Sequence, residues 1–256
     1  MPVFHKLHRL FPQLNYNRYL CSVIAEAPKR LRNATLRHDK KKMKEYDTYI
    51  FDLDGTLLNT LHDLAKSTNH AMRYAGLPEH SIDDVRRFVG NGVRKLIERA
   101  VPGGSSHPRF DEILTEFKRH YSLHSMDSTG PYPGIIDMIT VLNSRGKHIA
   151  VVSNKFYDAT RQLCRHFFGE TISVAIGERE GINKKPAPDT VLEALKQLGV
   201  GSANAVYVGD SEVDIQTARN SEMPCISVLW GFRDRDFLTA NGAESFIETP
   251  DELLCW

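Results

Sequence analysis

Short apolar segments alternate with helix-like segments along the chain from Tyr46 onward. Four apolar segments are short, rich in β-branched residues and bounded by turn residues, so each is predicted to form a buried strand. They run from His148 to Val152, Ser173 to Ile176, Ala205 to Val208 and Cys225 to Leu229. Alternating strands and helices of this kind predict an α/β fold with a parallel sheet.

One helix between these strands has a well-defined apolar face and end. Ile135, Ile136, Ile139 and Leu142 are predicted to share its buried face, and Gly146 is predicted to stop it.

The alternation breaks between about Leu61 and Tyr132, where we predict helices and no strand. Ser81 followed by Asp84 has the form of a capping box that opens a short helix. Three longer helices are marked by apolar residues at helical spacing: Leu61, Leu64, Ala65, Thr68 and Met72; Val93, Leu96, Ile97 and Ala100; Phe110, Ile113, Leu114, Phe117 and Tyr121. We expect a core over residues 46–60 and 133–256, and a helical insertion over residues 61–132.

Composition changes this picture only at the N-terminus. The chain has 256 residues, of which 41% are hydrophobic and 25% are charged, as in ordinary globular proteins. Residues 1–42 hold 10 basic and 2 acidic residues, which leaves 23 basic and 30 acidic residues in the remainder.

We therefore treat residues 1–45 as a basic extension, which has three open interpretations. It is a targeting segment, an arm for nucleic acid or an anionic surface, or a disordered or mis-started tail preceding Met43. The last is preferred.

The cysteines and the apolar runs bear on location. Cys21, Cys164, Cys225 and Cys255 are scattered without paired spacing, so we expect reduced thiols and no disulfide framework or zinc site. No uninterrupted apolar run is long enough to span a bilayer. These features predict a cytoplasmic protein.

Four groups of polar residues carry the candidate chemistry, and each follows a predicted strand or lies in the loop after one. They are Asp52-Leu53-Asp54-Gly55-Thr56, Ser153-Asn154, Lys185 in KKPAPD, and GDSEVD, which contains Asp210 and Asp214. Carboxyl ends of parallel strands share one edge of a sheet, so these groups are expected to converge. Each alone is usually a turn former, a helix cap or a solvated loop residue. All four together are hard to explain as caps.

DLDGT, strand-Ser-Asn, KPxPD and GDSxxD, in this order, resemble the four motifs of the haloacid dehalogenase superfamily of aspartate-nucleophile phosphatases. The resemblance covers residues 46 to about 250. It implies a doubly wound, Rossmann-like core with an inserted all-helical cap of the C1 type. RRFVGNGVRKLIERA and YVGDSEVDIQTARNSEMP further resemble the phosphoglycolate phosphatase branch.

The resemblance implies roles for the two aspartates of the first motif. Asp52 would attack phosphorus and form an aspartyl-phosphate, which splits a hard hydrolysis into two easier steps. Asp54 would protonate the leaving alcohol and then take a proton from water. Because the dehalogenases of the superfamily lack an acid at the position of Asp54, its presence favours phosphoester chemistry.

The resemblance also implies a Mg²⁺ site and a set of phosphoryl-binding groups. Mg²⁺ would be held by Asp52, the carbonyl of Asp54 and Asp210, with Asp214 completing or supporting the site directly or through water. Lys185 would place positive charge against the phosphoryl group, and Ser153 and Asn154 would donate hydrogen bonds to the phosphoryl oxygens. Thr56 belongs to the expected substrate-binding set, as support for the Asp54 turn.

Substrate choice is expected to depend on the cap. The Gly90-Asn91-Gly92 segment lies between two predicted helices and could reach the active site, so Asn91 and Gly92 are candidate substrate-binding residues. Arg94 or Lys95 could pair with a substrate carboxylate. The alternative is that both bases belong to a solvated helix face.

The leading hypothesis is a Mg²⁺-dependent phosphatase for a small phosphorylated metabolite, with 2-phosphoglycolate as the first candidate. Alternatives within the superfamily are a pyrophosphatase, a sugar-phosphate phosphatase and a phosphohexose mutase. A different class would be a non-catalytic binding or regulatory protein on the same fold, which should have lost Asp52, Asp54, Lys185 or Asp210. We expect no nucleic-acid or membrane partner, and a monomer or homodimer.

Overall fold

The computed structural model describes residues 46–255, so the three interpretations of the basic extension lie outside the described residues. In chain order the elements are β1 (Thr48–Phe51), β2 (Leu58–Asn59), α1 (Leu61–Ala75), α2 (Ile82–Phe88), α3 (Val93–Ala100), α4 (Phe110–His124), β3 (Gly130–Pro131), α5 (Ile135–Ser144), β4 (His148–Phe156), α6 (Tyr157–Phe168), β5 (Val174–Glu178), α7 (Asp189–Leu198), β6 (Ala205–Gly209), α8 (Glu212–Asn220), β7 (Cys225–Val228), α9 (Arg235–Ala240) and β8 (Phe246–Ile247). Short 3₁₀ turns cover Gly104–Ser106, Gly169–Thr171 and Pro250–Cys255.

Six of these strands form one parallel sheet in the order β5-β4-β1-β6-β7-β8. After β1 the chain adds β4 and β5 on one side, and it then adds β6, β7 and β8 on the other. The order therefore reverses at β1, and open α/β sheets bind ligands outside the carboxyl ends of the strands at such a reversal. The predicted doubly wound α/β fold is confirmed.

Successive side chains of β1 enter different cores because side chains alternate across a strand. Tyr49 and Phe51 pack in the larger core, beneath α5 and α6. Ile50 packs in a second core, beneath α7 and α8. All three side chains are at most 1% exposed, and full burial of a large apolar side chain contributes about 1.5–3 kcal/mol. Helices on both faces thus hold β1 rigidly where it delivers its terminal residues.

The strand predictions were incomplete at three places. Strand β4 continues to Phe156, beyond the predicted end at Val152, because the polar residues that follow Val152 are buried by neighbouring segments. Strands β2 and β3 pair antiparallel, which corrects the expectation of no strand between Leu61 and Tyr132. Strand β8 was also missed. Two-residue strands are too short to carry a hydrophobic period.

Helices α1 to α4 pack around one shared hydrophobic cluster. The apolar residues predicted for these helices are buried, except that Val93 is only partly buried. The capping box at α2 is present: the Ser81 hydroxyl accepts from the backbone N–H of Asp84 at 3.1 Å, and the Asp84 carboxylate accepts from the backbone N–H of Ser81 at 3.1 Å. These features confirm the helical character of the inserted segment.

The predicted face of α5 needs one correction. Ile136 is 44% exposed, and Met138 is buried with Ile135, Ile139 and Leu142. Residues spaced three and four apart share a helix face, whereas residue i+1 points about 100° away. Met138 therefore occupies the position that the prediction gave to Ile136.

Two sequence expectations concern the cysteines and the membrane: reduced thiols, and no segment that spans a bilayer. Cys164, Cys225 and Cys255 are free thiols. Between residues 46 and 255, no helix combines the length and apolar character needed to cross a bilayer.

A buried carboxylate joins the first helix of the insertion to the segment that returns to the sheet. Asp63 of α1 is fully buried, and its Oδ2 accepts from the backbone N–H groups of Ser128 and Thr129 at 2.9 and 2.8 Å. The Thr129 hydroxyl donates to the same oxygen at 2.9 Å. Both ends of the insertion are thereby tied together beside the β2–β3 pair.

We expect Asp63→Ala to lower the free energy of unfolding by about 2 kcal/mol, because the buried N–H and hydroxyl of Thr129 and the part-buried N–H of Ser128 would lose their acceptor. A loss of that size corresponds to a fall in Tm of roughly 4–8 °C, measurable by calorimetry. The exposed Asp137 of α5 offers a control, and Asp137→Ala should change Tm little. Equal effects of the two substitutions would contradict an anchoring role for Asp63.

Candidate active site

Three buried carboxylates meet at the carboxyl edge of the sheet. Asp52 follows β1, Asp210 follows β6, and Asp214 lies in the first turn of α8. One carboxylate oxygen from each lies within 4.8 Å of the others. The side chains of Asp52, Asp210 and Asp214 are thus brought together from positions up to 162 residues apart by the reversal of strand order at β1.

A buried ammonium group compensates part of this negative charge. Lys185 lies in the loop between β5 and α7, and its Nζ is 2.6 Å from Oδ1 of Asp52 and 2.8 Å from Oδ1 of Asp214. It also donates to the hydroxyl of Tyr207 at 3.0 Å. Burying a charge is costly unless it is paired, so these contacts hold Lys185 in place. Sequence reasoning did not identify Tyr207, which appears as an ordinary apolar strand residue.

The carboxylate of Asp214 is occupied by protein donors on both oxygens. Oδ1 accepts from Lys185 and from the Tyr207 hydroxyl, the latter at 3.0 Å. Oδ2 accepts from the backbone N–H of Asp210 at 3.2 Å, and from the backbone N–H and hydroxyl of Ser211 at 3.1 and 2.6 Å. This geometry favours support of Lys185 and of the loop at Asp210 over direct metal ligation by Asp214.

Asp210 is fixed from two sides. Oδ2 accepts from the backbone N–H of Phe232 at 2.7 Å, and Oδ1 accepts from the hydroxyl of Thr56 at 3.3 Å. A Cβ atom placed on either Gly55 or Gly231 would lie within 2.5 Å of Oδ2, so only glycine permits this close approach. Thr56 is fully buried and its hydroxyl supports Asp210, while its membership of the substrate-binding set stays a prediction.

Burial and mutual repulsion perturb the acidic group. Burial raises the pKa of Asp52 to about 7, and repulsion from Asp214 and Asp54 acts in the same direction, while contact with Lys185 opposes the rise. Burial and the same kind of repulsion also hold the pKa of Asp210 well above its ordinary value. Attraction to Asp214 and Asp52 raises the pKa of Lys185 although burial lowers it. The ionised carboxylates of the site therefore repel one another, and a bound cation would reduce that repulsion.

The donor set fits a hard divalent cation. Asp52, Asp210 and Asp214 present buried carboxylate oxygens, the ligand type that Mg²⁺ prefers. Counting Asp54, the ionised site has four carboxylates against the two ammonium groups of Lys185 and Lys155, so a divalent ion would balance the charge. Asp52 and Asp210 are the members best placed to hold it, since Asp214 is occupied.

The second aspartate of the strand end contacts a lysine that sequence reasoning missed. Nζ of Lys155 lies 2.9 and 3.0 Å from the two carboxylate oxygens of Asp54, and it donates to the hydroxyl of Tyr121 at 2.7 Å. Lys155 is buried and directly follows the Ser153-Asn154 pair. Its place immediately after that pair was the available signal.

Ser153 and Asn154 line the same cavity as the acidic residues. The Ser153 hydroxyl accepts from the backbone N–H of Lys155 at 3.2 Å and keeps its own hydrogen for a ligand. The side-chain amide of Asn154 donates to the backbone carbonyl of Lys185 at 2.9 Å. Asn154 therefore braces the Lys185 loop, and its donation to a phosphoryl oxygen stays a prediction.

The insertion closes the cavity with the Gly90-Asn91-Gly92 segment. The cavity measures about 80 Å³, and its lining includes these three residues together with Asp52 and Lys185. All three residues have positive φ, at 119°, 63° and 84°, a conformation that favours glycine and asparagine. The side chain of Asn91 makes no hydrogen bond to any residue between 46 and 255, so its amide is available to a ligand.

Arg94 and Lys95 lie outside the cavity lining. Arg94 pairs with Asp111 at 3.3 Å and Lys95 pairs with Glu98 at 2.9 Å, and both bases are at least half exposed. The structure therefore favours the solvated helix face over the substrate-carboxylate role for both.

Two other arginines hold the Gly90-Asn91-Gly92 segment and the residues before it, and one of them, Arg233, also lines the cavity. Arg99 of α3 donates to the carbonyls of Phe88 and Gly90 at 2.7 and 3.2 Å. Arg233, which follows β7, donates to the carbonyl of Val89 at 2.7 Å and pairs with Glu212 at 3.3 Å. Arg233 thus bridges the sheet side and the insertion. Neither arginine was found from sequence, because the backbone carbonyls that they contact in the insertion leave no pattern of residue types.

Comparison with known proteins identifies the family. Residues 49–228 match the family model described as haloacid dehalogenase-like hydrolase. A phosphoglycolate phosphatase of Aquifex aeolicus is 33% identical over 186 residues, which cover 72% of this chain and 84% of the relative. A phosphoglycolate phosphatase of Mesorhizobium japonicum is 34% identical over 196 residues, which cover 73% of this chain and 84% of the relative.

Solved structures agree. A candidate phosphoglycolate phosphatase of Lactobacillus delbrueckii subsp. bulgaricus superposes with a TM-score of 0.79 at 38% identity, over 82% of this chain and 97% of that one. CbbY of Rhodobacter sphaeroides, whose crystal structure is a complex with phosphate, superposes with a TM-score of 0.66 at 25% identity, over 81% of this chain and 96% of that one.

The chain therefore belongs to the haloacid dehalogenase-like hydrolase family. Within that family it falls in the phosphoglycolate phosphatase-like branch, and it is a phosphoric monoester hydrolase.

Gly55→Ala should displace Asp210, because the new Cβ would lie 2.3 Å from its Oδ2. We expect Mg²⁺ affinity, measured by titration calorimetry, to fall by at least about tenfold. Gly76 also has positive φ but has nothing within 4 Å of the new Cβ, so Gly76→Ala isolates the backbone strain. Normal Mg²⁺ binding by Gly55→Ala would remove Asp210 from the cation site.

Proposed function

We propose that this protein hydrolyses a small phosphomonoester through a phosphoaspartate on Asp52, with Mg²⁺ as cofactor and 2-phosphoglycolate as the first candidate substrate. The observation that carries the proposal is the placement of Asp52 in one small cavity with Lys185 and Asp210. A nucleophile, a fixed positive charge and a carboxylate for a cation are the parts that phosphoryl transfer needs.

In the first step, a carboxylate oxygen of Asp52 attacks phosphorus and the ester P–O bond breaks. Asp54 donates a proton to the departing alkoxide, which leaves as a neutral alcohol. The ammonium of Lys185 and the hydroxyl of Ser153 face the charge that develops on the phosphoryl oxygens. Asp214 and Tyr207 hold Lys185 for this task, and Asn154 fixes the backbone that carries it.

In the second step, water attacks phosphorus of the phosphoaspartate and Asp54, now deprotonated, accepts the proton of the water. The bond between phosphorus and Asp52 breaks, and inorganic phosphate leaves with the original carboxylate restored. One residue serves both steps because its protonation state after the first step is the one that the second step requires.

A bound Mg²⁺ would supply charge neutralisation for the phosphoryl group and its carboxylate neighbours. Asp52, Asp210 and the backbone carbonyl of Asp54 would hold it, and Asp214 would support the ligands from behind.

The size of the substrate is argued from the cavity and from the closing segment. A cavity of about 80 Å³ suits a phosphoryl group with a very short organic part. Asn91 and Gly92 line the cavity, and the Asn91 amide would bind that organic part together with the backbone of Gly92. The phosphoglycolate phosphatases among the relatives make 2-phosphoglycolate the natural first candidate.

The function is tested by kcat/KM on a panel that contains 2-phosphoglycolate, glycerol phosphates, hexose phosphates and pyrophosphate. We expect 2-phosphoglycolate to rank first, because its short organic part lies within the cavity beside Asn91 and Gly92, whereas longer organic parts extend beyond these residues. EDTA should abolish turnover and Mg²⁺ should restore it. Highest kcat/KM for a hexose phosphate would contradict the substrate, and turnover insensitive to EDTA would contradict the metal.

Asp52→Asn should lower kcat by at least about 10³-fold while leaving Tm close to that of the native protein, because the amide preserves shape but is a poor nucleophile. Borohydride reduction of the native protein during turnover should convert residue 52 to homoserine, detectable by mass spectrometry. The exposed Asp83 gives a control, since Asp83→Asn should retain full activity. Near-native turnover by Asp52→Asn would rule out the covalent intermediate.

A further inference from the structure

Each of the two aspartates at the end of β1 has its own buried lysine and its own tyrosine. Lys185 joins Asp52 to the hydroxyl of Tyr207. Lys155 joins Asp54 to the hydroxyl of Tyr121. The first arrangement belongs to the proposed nucleophile. The second belongs to the proposed acid, but its lysine and its tyrosine have no part in the chemistry described so far.

The lysine and the tyrosine are buried in both arrangements, while the side chain of Asp54 is 18% exposed against 9% for that of Asp52. Lys155 is 4% exposed and Tyr121 is 4% exposed. Nζ of Lys155 lies 2.9 and 3.0 Å from the two oxygens of Asp54 and 2.7 Å from the hydroxyl of Tyr121, so three oxygens surround it. A buried ammonium that is this fully paired has one preferred position. The carboxylate that it contacts through both oxygens is consequently restricted to one orientation.

The tyrosine of this arrangement comes from the insertion. Tyr121 lies on α4, whereas Lys155 and Asp54 belong to the sheet side. The ring of Tyr121 stacks on Phe117 at a centroid distance of 5.5 Å and an interplanar angle of 15°. Phe117 belongs to the hydrophobic cluster of the insertion, so the hydroxyl of Tyr121 moves only with the insertion.

We propose that Lys155 is the positioning residue for the carboxyl of Asp54, and that the hydroxyl of Tyr121, which belongs to the insertion, holds Lys155 in position. Proton delivery to the leaving alcohol then requires the insertion to be seated over the site. Opening of the insertion removes the Tyr121 hydroxyl from Lys155 and releases Asp54 from its working orientation. This inference rests on the proposed function, in which Asp54 is the acid that protonates the leaving group.

The inference has a signature that a purely structural role lacks. Phenoxide is a poor leaving group that needs a proton, while p-nitrophenoxide departs readily without one. Misplacing Asp54 should therefore slow phenyl phosphate much more than p-nitrophenyl phosphate. A general loss of folding or of phosphate binding would slow both substrates by the same factor, because the two differ only at the leaving group.

The experiment compares kcat/KM for the two aryl phosphates with Mg²⁺ in the native protein and in Tyr121→Phe, Lys155→Arg, Lys155→Gln and Asp54→Asn. The quantity kcat/KM reports the step in which the leaving group departs, whichever step limits kcat. We expect Tyr121→Phe and Lys155→Gln to lower kcat/KM for phenyl phosphate by at least about tenfold, and kcat/KM for p-nitrophenyl phosphate by less than about threefold. Asp54→Asn should show the same difference between the two substrates, with a larger loss for phenyl phosphate. Lys155→Arg should recover part of the loss because it keeps the charge.

Tyr74→Phe is the matched control. Tyr74 is a tyrosine of the same insertion whose hydroxyl donates to Glu112 at 2.7 Å, but it is 49% exposed and is not among the residues that line the cavity. This variant should leave both substrates unchanged. Tm is measured for every variant, and Tyr121→Phe, which removes one oxygen atom, decides the question if Lys155→Gln fails to fold.

Two outcomes separate this inference from the proposed function. If Asp54→Asn shows the leaving-group signature while Tyr121→Phe slows both substrates equally or neither, the inference is overturned and the proposed function stands. If Asp54→Asn itself slows both substrates equally, the acid role of Asp54 in the proposed function is wrong.

Discussion

The structure depends on a concentration of buried like charge at the point where the sheet changes direction. Asp52, Asp210 and Asp214 lie within 4.8 Å of one another in an interior that disfavours ionised carboxylates. Such a group persists only when cations face it, and Lys185 is held there by contacts with Asp52 and Asp214. The same imbalance that makes the site costly to bury makes it ready to accept a divalent cation and a phosphoryl group.

The inserted helices complete this site without supplying its charge. Their contribution is a segment with three successive positive φ angles, from Gly90 to Gly92, and one buried hydroxyl, that of Tyr121. Arg233 grips the carbonyl of Val89 from the sheet side, while Arg99 supports the carbonyl of Gly90. The insertion is therefore attached by backbone contacts near the cavity, an arrangement suited to closing over a small ligand.

Sequence reasoning found Asp52, Asp210 and Lys185, because each belongs to a motif and the carboxyl ends of parallel strands meet at one edge. It did not find Lys155, whose buried position results from the unexpected extension of β4. Thr56 was expected to support the Asp54 turn, and in the structure its buried hydroxyl donates to Asp210. The position of Ile136 was missed because helix spacing was judged by neighbouring apolar residues and not by rotation about the axis.

Local chemistry along the chain was sufficient to determine the α/β class, the helical character of residues 61–124 and the family motifs, because each depends on short-range spacing and residue type. Which oxygen of which carboxylate remains open to a ligand was decided only in three dimensions. Asp214 and Asp52 are equivalent as residue types, but five donors occupy the first and one lysine faces the second. Hydrogen-bond saturation depends on partners distant in sequence, and no pattern along one chain records it.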